Sequence, residues 1–171
     1  DQGMEIGLLL TGDPLLGDFG KSGRKFQVGC MKRFDPAYGE AKRRVEEGRI
    51  GVPVVFTAIS KDPFPPPEWA CDPKRGGGLY IDMHSHDFDL ARWFMKDEIR
   101  RVYAEDGALV HKDFKFSSWM DNCIITVKFQ RGSLGVINGS FSSGYGYDVR
   151  TEIQGTEGAI MVGEVSWWPV V

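Results

Sequence analysis

The sequence predicts an α+β domain in which a central helix is followed by a run of antiparallel strands. Residues 79–95 carry apolar side chains on more than one side when drawn as a helix, which indicates a packed, central element. Beyond them, apolar and β-branched runs are separated by the hairpin sequences "FQRGSLG" and "QGTEGA". With 171 residues, 42% hydrophobic and 26% charged, the chain has the composition of one globular domain. The expected strands are 99–104, 122–130, 133–141, 148–154 and 158–162.

A shorter helix and a further strand are predicted earlier in the chain. Asp35 is a suitable N-cap with proline directly after it, and Gly51 and Pro53 are expected to end the helix. The β-branched run "PVVFTAIS", residues 53–60, predicts a strand. The next segment, 61–78, is rich in proline and glycine and predicts a loop that lines or covers a site. The helix is expected to begin at about Pro36, with an apolar stripe of Ala37, Ala41, Val45 and Ile50.

The charge and cysteine content exclude several kinds of partner. The chain has 21 basic and 24 acidic side chains, so we expect no nucleic acid and no anionic membrane, and a small neutral ligand is easier to accommodate. No apolar run reaches the ~18 residues needed to span a bilayer. Cys30, Cys71 and Cys123 are odd in number and lack metal-ligand spacing, which argues against disulfides or zinc and favours a reducing, cytoplasmic setting.

The stretch "GGGLYIDMHSHDFDLARW", residues 76–93, concentrates histidine and aspartate in a few positions. An aspartate one turn before a histidine can hydrogen-bond the imidazole, fix its tautomer and leave the other nitrogen to exchange a proton with a substrate hydroxyl. The triple glycine lets the backbone approach a ligand closely. On a helix with ~100° per residue, His84 points away from this group. The side chains expected within about 60° of one another are Asp82, His86, Asp89 and Trp93.

Two other interpretations of this stretch remain open. In one, Asp82 and Asp89 only solvate the end of a helix. In the other, His84 and His86 bind a metal, which requires both imidazoles on one face. A strand achieves this at i, i+2 and a helix does not, and no strand-like alternation is present. We therefore expect no metal site.

Three blocks of the chain together resemble the Gfo/Idh/MocA oxidoreductase family, and within it the inositol 2-dehydrogenases. They are "QVGCMKRFDPAYGEAKRRVEEGRIGVPVVF", "GGGLYIDMHSHDFDLARW" and "YGYDVRTEIQGTEGAI", and the resemblance covers roughly residues 25–163. In that family a Rossmann domain binds NAD(P), and a second domain supplies substrate contacts and the oligomer interface. The chain resembles mainly this second domain. The resemblance implies an open, largely antiparallel sheet with helices packed on one face, and a Rossmann domain that is essentially absent.

The resemblance implies an oxidoreductase with Asp82 and His86 as its catalytic pair. A hydride would pass from a ring carbon of a cyclic polyol or sugar to the nicotinamide of NAD or NADP. His86 would remove the hydroxyl proton, and Asp82 would orient His86 and stabilise its charge. The family's third catalytic group, a lysine in a Glu-Lys-Pro motif, is missing, as is a G-x-G-x-x-G fingerprint. We therefore do not expect the chain alone to bind the cofactor.

Other positions take roles from the same resemblance. Met31 corresponds to a cofactor contact, and Lys32, Ser60, Asp89 and Tyr147 correspond to substrate contacts. Lys32 stands where inositol dehydrogenases often have arginine, and Ser60 stands where some members have a substrate-binding histidine. These departures favour a polyol or sugar without identifying myo-inositol. A homo-oligomer formed through the open sheet face is also implied.

The domain organisation follows from the same comparison. Residues 1–24 are an unassigned leader, 25–31 a remnant of the last Rossmann strand, and 32–171 a family C-terminal domain truncated at its end. The chain is expected to be a fragment or a shortened relative. One alternative is a non-catalytic oligomerising or ligand-binding remnant. A more distant one is a metal-dependent hydrolase built on His84 and His86.

Overall fold

The computed structural model describes residues 29–72, 75–112 and 119–165. The predicted leader, 1–24, and the first four residues of the predicted strand 25–31 lie outside these ranges. In the described end of that strand Cys30 has an extended backbone, and Met31 begins a 3-10 turn, Met31–Phe34. The first candidate site residues, Met31 and Lys32, lie in this turn, just before the first helix.

Helix α1, Pro36–Glu46, begins where the sequence predicts. The Asp35 carboxylate caps it by accepting hydrogen bonds from the amides of Ala37 and Tyr38. Ala41, Val45 and Ile50 of the predicted apolar stripe are buried, whereas Ala37 is exposed and Tyr38 is buried in its place. The helix ends earlier than predicted because Gly48 adopts a left-handed φ of 75°.

The segment predicted as one loop and one helix is more finely divided. Residues 61–78 contain a four-residue helix, α2, Glu68–Cys71, which the proline content concealed. The predicted helix 79–95 begins with a π-helical turn, Leu79–Met83, and continues as α3, Ser85–Met95. The change of helix type alters which side chains of the first turn share a face.

Six strands form one mixed sheet in the order β2–β3–β4–β1–β5–β6. Strands β1 and β4 run parallel, and every other neighbouring pair is antiparallel. The parallel pair is possible because α2 and α3 lie in the connection between its strands. The strands predicted at 53–60 and from residue 99 onward all occur in the described residues, so the α+β, largely antiparallel prediction is confirmed. The strands are β1 Pro53–Lys61, β2 Ile99–Gly107, β3 Asn122–Phe129, β4 Leu134–Ser140, β5 Asp148–Gly155 and β6 Ala159–Val165.

The core lies between the sheet and the helices. Alternate strand residues such as Phe56 and Ile137 are fully buried and belong to one cluster with Leu90 and Phe94 of α3. On the opposite face, Ile124 remains 57% exposed. No described helix is both long enough and apolar enough to cross a membrane.

Candidate active site

The triple glycine is needed to start the π turn against the preceding helix. A Cβ at Gly76 would stand 2.2 Å from the Ala70 Cα, so only glycine fits beside α2. Gly78 has a φ of 59°, in the left-handed region that favours glycine. The chain then enters the π turn, in which the amide of His84 donates to the carbonyl of Leu79 at 3.2 Å. Single π turns of this kind are frequent at functional sites.

The predicted catalytic pair, Asp82 and His86, lies half-buried across the junction of the π turn and α3. Burial raises the pKa of Asp82, and the nearby charge of His86 partly offsets that rise. No hydrogen bond joins the two side chains among residues 75–112. The expected bond to the imidazole is therefore not made, because the π turn replaces the regular α-helical spacing. Their interaction here is electrostatic.

A largely buried hydrogen-bond network connects two predicted substrate residues, Lys32 and Ser60, to His84, which the sequence analysis had placed away from the site. Asp87 Oδ1 accepts hydrogen bonds from Lys32 Nζ at 2.8 Å and from Ser60 Oγ at 3.0 Å. Its Oδ2 lies 2.9 Å from His84 Nδ1. On the other side of the ring, Cys123 Sγ lies 3.2 Å from His84 Nε2. These five side chains are called the buried network below.

The charges in this network are balanced. Burial by itself raises the pKa of Asp87, but the hydrogen bond from His84 and the charge of Lys32 outweigh it, so the pKa is lowered. Burial raises the pKa of Cys123 to about 12, so its thiol stays protonated. The S–H can then donate to Nε2 of His84, which leaves the ring proton on Nδ1, facing Asp87.

Asp62 is a site residue that the sequence analysis missed. It follows β1 two residues after Ser60, so strand alternation returns it to the helix face. Burial and the charge of Asp82 raise the pKa of Asp62, and the charge of Lys32 lowers it. Asp62 therefore lies within electrostatic reach of both the predicted pair and the buried network. An acidic residue just past a predicted strand end, on the same face as Ser60, was the signal that could have identified it.

Asp89 and its neighbours hold the 3-10 turn against α3. Arg33 binds the Asp89 carboxylate through both oxygens, at 2.7 Å from Nε and 2.6 Å from Nη2. Burial and the negative charge of Asp89 raise the pKa of Cys30 beside it. The observed partner of Asp89 is Arg33, and a contact between Asp89 and a substrate remains a prediction.

The two remaining predicted residues are more exposed. Tyr147 is 49% exposed, and its ring makes an edge-to-face contact with Phe64 at 6.1 Å between centroids. Met31 is 62% exposed at the start of the 3-10 turn. Their predicted contacts with substrate and cofactor remain predictions.

The alternative metal site has no geometric support. Both ring nitrogens of His84 already face protein partners, Asp87 and Cys123. Among the residues that the structure describes, no group of three or more His, Cys, Asp and Glu side chains is placed to hold a metal ion.

The described fold, an open mixed sheet with helices on one face, belongs to a known class of domain. Residues 38–161 match the GFO/IDH/MocA C-terminal domain, and the chain belongs to this family. It is 39% identical over 137 residues to scyllo-inositol 2-dehydrogenase (NAD(+)) of Bacillus subtilis, which covers 80% of this chain and 40% of that protein. It is also 39% identical over 145 residues to myo-inositol 2-dehydrogenase of Thermotoga maritima, with coverages of 84% and 42%.

A solved structure gives the same result. Scyllo-inositol dehydrogenase from Lactobacillus casei, with bound NAD(H) and scyllo-inositol, superposes with a TM-score of 0.71 at 28% identity. The match covers 90% of this chain and 46% of that one. The chain therefore spans less than half the length of these relatives.

Proposed function

We propose that this chain forms the substrate-binding part of an NAD-dependent polyol dehydrogenase that acts on a cyclic polyol or sugar. The observation that carries the proposal is the position of the Lys32 ammonium, which lies 2.8 Å from Asp87 Oδ1 and 3.4 Å from Ser60 Oγ and whose charge, with that of Asp82, acts on Asp62. Asp62 links the predicted proton-transfer pair to the buried network. Carboxylates, an imidazole and an ammonium on neighbouring elements suit a ligand with several hydroxyl groups, each of which both donates and accepts a hydrogen bond. The names of the inositol dehydrogenases among the relatives support the same substrate class.

In this proposal His86 is the general base. It is half-buried and its ring makes no hydrogen bond within the described ranges, so a nitrogen is available to take the proton of a substrate hydroxyl. Asp82 stabilises the imidazolium that results. Lys32 and Ser60 bind other oxygens of the ring. Asp89 and Tyr147 complete the pocket, Asp89 together with Arg33.

The described residues suit contact with the nicotinamide of the cofactor but not binding of its phosphates. Met31 is exposed beside the site, but the start of α1 is occupied by the Asp35 carboxylate, which would repel a pyrophosphate. The phosphates would therefore be held by sequence outside these residues, as in relatives more than twice as long. When bound, NAD supplies the hydride acceptor. NAD rather than NADP is proposed because relatives are named for it.

Two further parts of the proposal concern the setting. Three free cysteines, Cys30, Cys71 and Cys123, suit a reducing cytoplasm. The exposed sheet face, which includes Ile124 and Val136, suits a homo-oligomer. No nucleic acid or membrane is proposed as a partner.

Binding of inositols to the chain tests the proposal. Amide NMR spectra of the 171-residue chain are recorded during titration with myo-inositol and with scyllo-inositol. We expect saturable shifts at Lys32, Asp62 and His86, and weaker binding after Asp82→Asn. His111→Gln, in the loop after β2, is the matched control. The absence of saturable shifts at these residues with either inositol would contradict the proposal.

A further inference from the structure

The buried network has one direction of hydrogen bonding. A carboxylate only accepts, and an ammonium only donates. Asp87 therefore receives its bonds from Lys32 and Ser60 on Oδ1 and from His84 on Oδ2. Every donor in the network is aimed, directly or through His84, at one fully buried carboxylate.

His84 is the most deeply buried of the donors in the network. Its side chain is 0% exposed, whereas the Lys32 side chain is 11% exposed and reaches the edge of the site. Without a donor in the position of His84 Nδ1, Oδ2 of Asp87 would be buried and unsatisfied, which is a costly state for a charged group. The carboxylate would then rotate or take up water, and Oδ1 would move with it.

The sheet leaves space for this ring. A Cβ built at Gly139 of β4 would lie 1.9 Å from His84 Nε2. The imidazole therefore packs directly on the strand backbone, with the Cys123 thiol at its edge. Packing against the backbone at Gly139 fixes the plane of the ring, and the thiol of Cys123 fixes its tautomer.

Lys32 retains one unused donor. Two of its three N–H bonds point to Asp87 at 2.8 Å and to Ser60 at 3.4 Å. Within the described ranges no acceptor receives the third. The Lys32 side chain is 11% exposed at the edge of the network, so this third N–H can reach a ligand oxygen there.

We propose that His84 is a positioning residue that, by donating to Asp87, holds the Lys32 ammonium and the Ser60 hydroxyl so that Lys32 presents one N–H to a ligand oxygen. The identity of the ligand as a polyol rests on the proposed function. The geometry of the network does not. His84 thus takes part in substrate selection without touching the substrate.

Two amide substitutions of His84 test the roles of its two ring nitrogens separately. The side-chain nitrogen of Asn overlaps Nδ1 of histidine, and that of Gln overlaps Nε2. His84→Asn is therefore expected to keep the donor to Asp87, and His84→Gln is expected to lose it. His111→Gln is the matched control for a histidine-to-glutamine change elsewhere in the chain.

The first measurement needs no ligand. In ¹⁵N NMR spectra of the wild-type imidazoles, we expect His84 to carry its proton on Nδ1. We also expect a protected Lys32 ammonium signal that is retained in His84→Asn and His111→Gln and lost through fast exchange in His84→Gln. A wild-type proton on Nε2, or a Lys32 signal that persists in His84→Gln, overturns the inference. The wild-type tautomer decides the matter even if a variant fails to fold.

The second measurement adds scyllo-inositol. We expect binding about tenfold weaker in His84→Gln than in wild type, and close to wild type in His84→Asn. Equal affinity of the Gln variant and wild type overturns the inference. If wild type shows the expected tautomer and Lys32 signal but binds no inositol, the proposed function fails while the positioning role stands.

Discussion

Gly139 lies so close beneath the His84 imidazole that a Cβ at position 139 would stand 1.9 Å from Nε2. Gly139→Ala is therefore expected to push the ring away from Asp87 and Cys123. Overpacking of this kind typically costs ~1–3 kcal/mol of unfolding free energy, which urea denaturation measures. Gly144→Ala is the control, because nothing lies within 4 Å of a Cβ at that glycine. Equal stability of the two variants would show that the ring is not held against the strand.

His86→Ala tests the proposed general base. The assay uses a chimaera in which these residues replace the matching part of an inositol dehydrogenase relative. There we expect kcat for inositol oxidation to fall by about 10²–10⁴-fold, with little change in the Kd for NAD. His111→Ala serves as the control. Near wild-type turnover in His86→Ala would assign His86 a structural role only.

The chain alone is not expected to bind NAD tightly. It has no G-x-G-x-x-G fingerprint, and the Asp35 carboxylate occupies the start of α1. Losing the phosphate cradle removes most of the anchoring of a dinucleotide. Isothermal calorimetry on the 171 residues checks this. A micromolar Kd would show that other residues of the chain hold the phosphates.

Asp121 predicts a pH dependence of stability. Burial raises the pKa of this carboxyl, but hydrogen bonds outweigh it and the pKa is lowered. A lowered folded-state pKa gives stabilisation that is complete above the ordinary Asp value of ~3.9 and is lost as the pH falls through the folded value. The donors are the amides of Leu109, Val110 and His111, at 2.8, 3.0 and 2.6 Å, and the Asn122 side chain, at 2.7 Å.

Asp121→Asn is therefore expected to lower the free energy of unfolding by ~2 kcal/mol at neutral pH, since hydrogen bonds to a charged group are lost. The gap to wild type should narrow below about pH 4. Urea unfolding at a series of pH values measures both effects, with the exposed Glu157→Gln as control. A gap that stays constant into the acid range would contradict the assignment.

The helices and strands could be predicted from local patterns in the sequence, whereas the buried network could not. Strands such as β3 were predicted because alternation along a half-buried strand is a local property, and α1 because Asp35 caps it locally. The π turn was missed because its bond spans five residues, a spacing that an α-helical wheel does not test.

The partners of His84 illustrate the same limit at the site. Asp87 is three residues away on a helix, so this contact could have been predicted from spacing. Cys123 is 39 residues away and reaches the ring only through the register of β3 beside β4. Lys32 is 55 residues from Asp87 and arrives by the packing of the 3-10 turn. Sheet register and turn packing are tertiary properties, so the two-histidine motif alone left metal binding and positioning undecided.

The exposed sheet face predicts self-association. Ile124, Leu134 and Val136 lie on the same face of β3 and β4, and each is at least 36% exposed; their cross-strand partners are Asn138, Lys128 and Thr126. The described residues of the loop 61–78 leave the three apolar side chains uncovered. Burial of apolar surface contributes about 25 cal/mol per Å², so a contact of several hundred Å² between two such faces would hold two copies together.

We therefore expect light scattering at micromolar concentration to give the mass of a dimer or a higher oligomer. Val136→Lys should shift that mass to the monomer with the fold retained, because it places a charge at the centre of the face. Gln130→Lys, in the turn after β3, adds the same charge outside the face and should leave the oligomer intact. A wild-type monomer would show that this face stays in water. Equal dissociation by both lysines would indicate general charge repulsion, since only a contact through the sheet distinguishes position 136 from position 130.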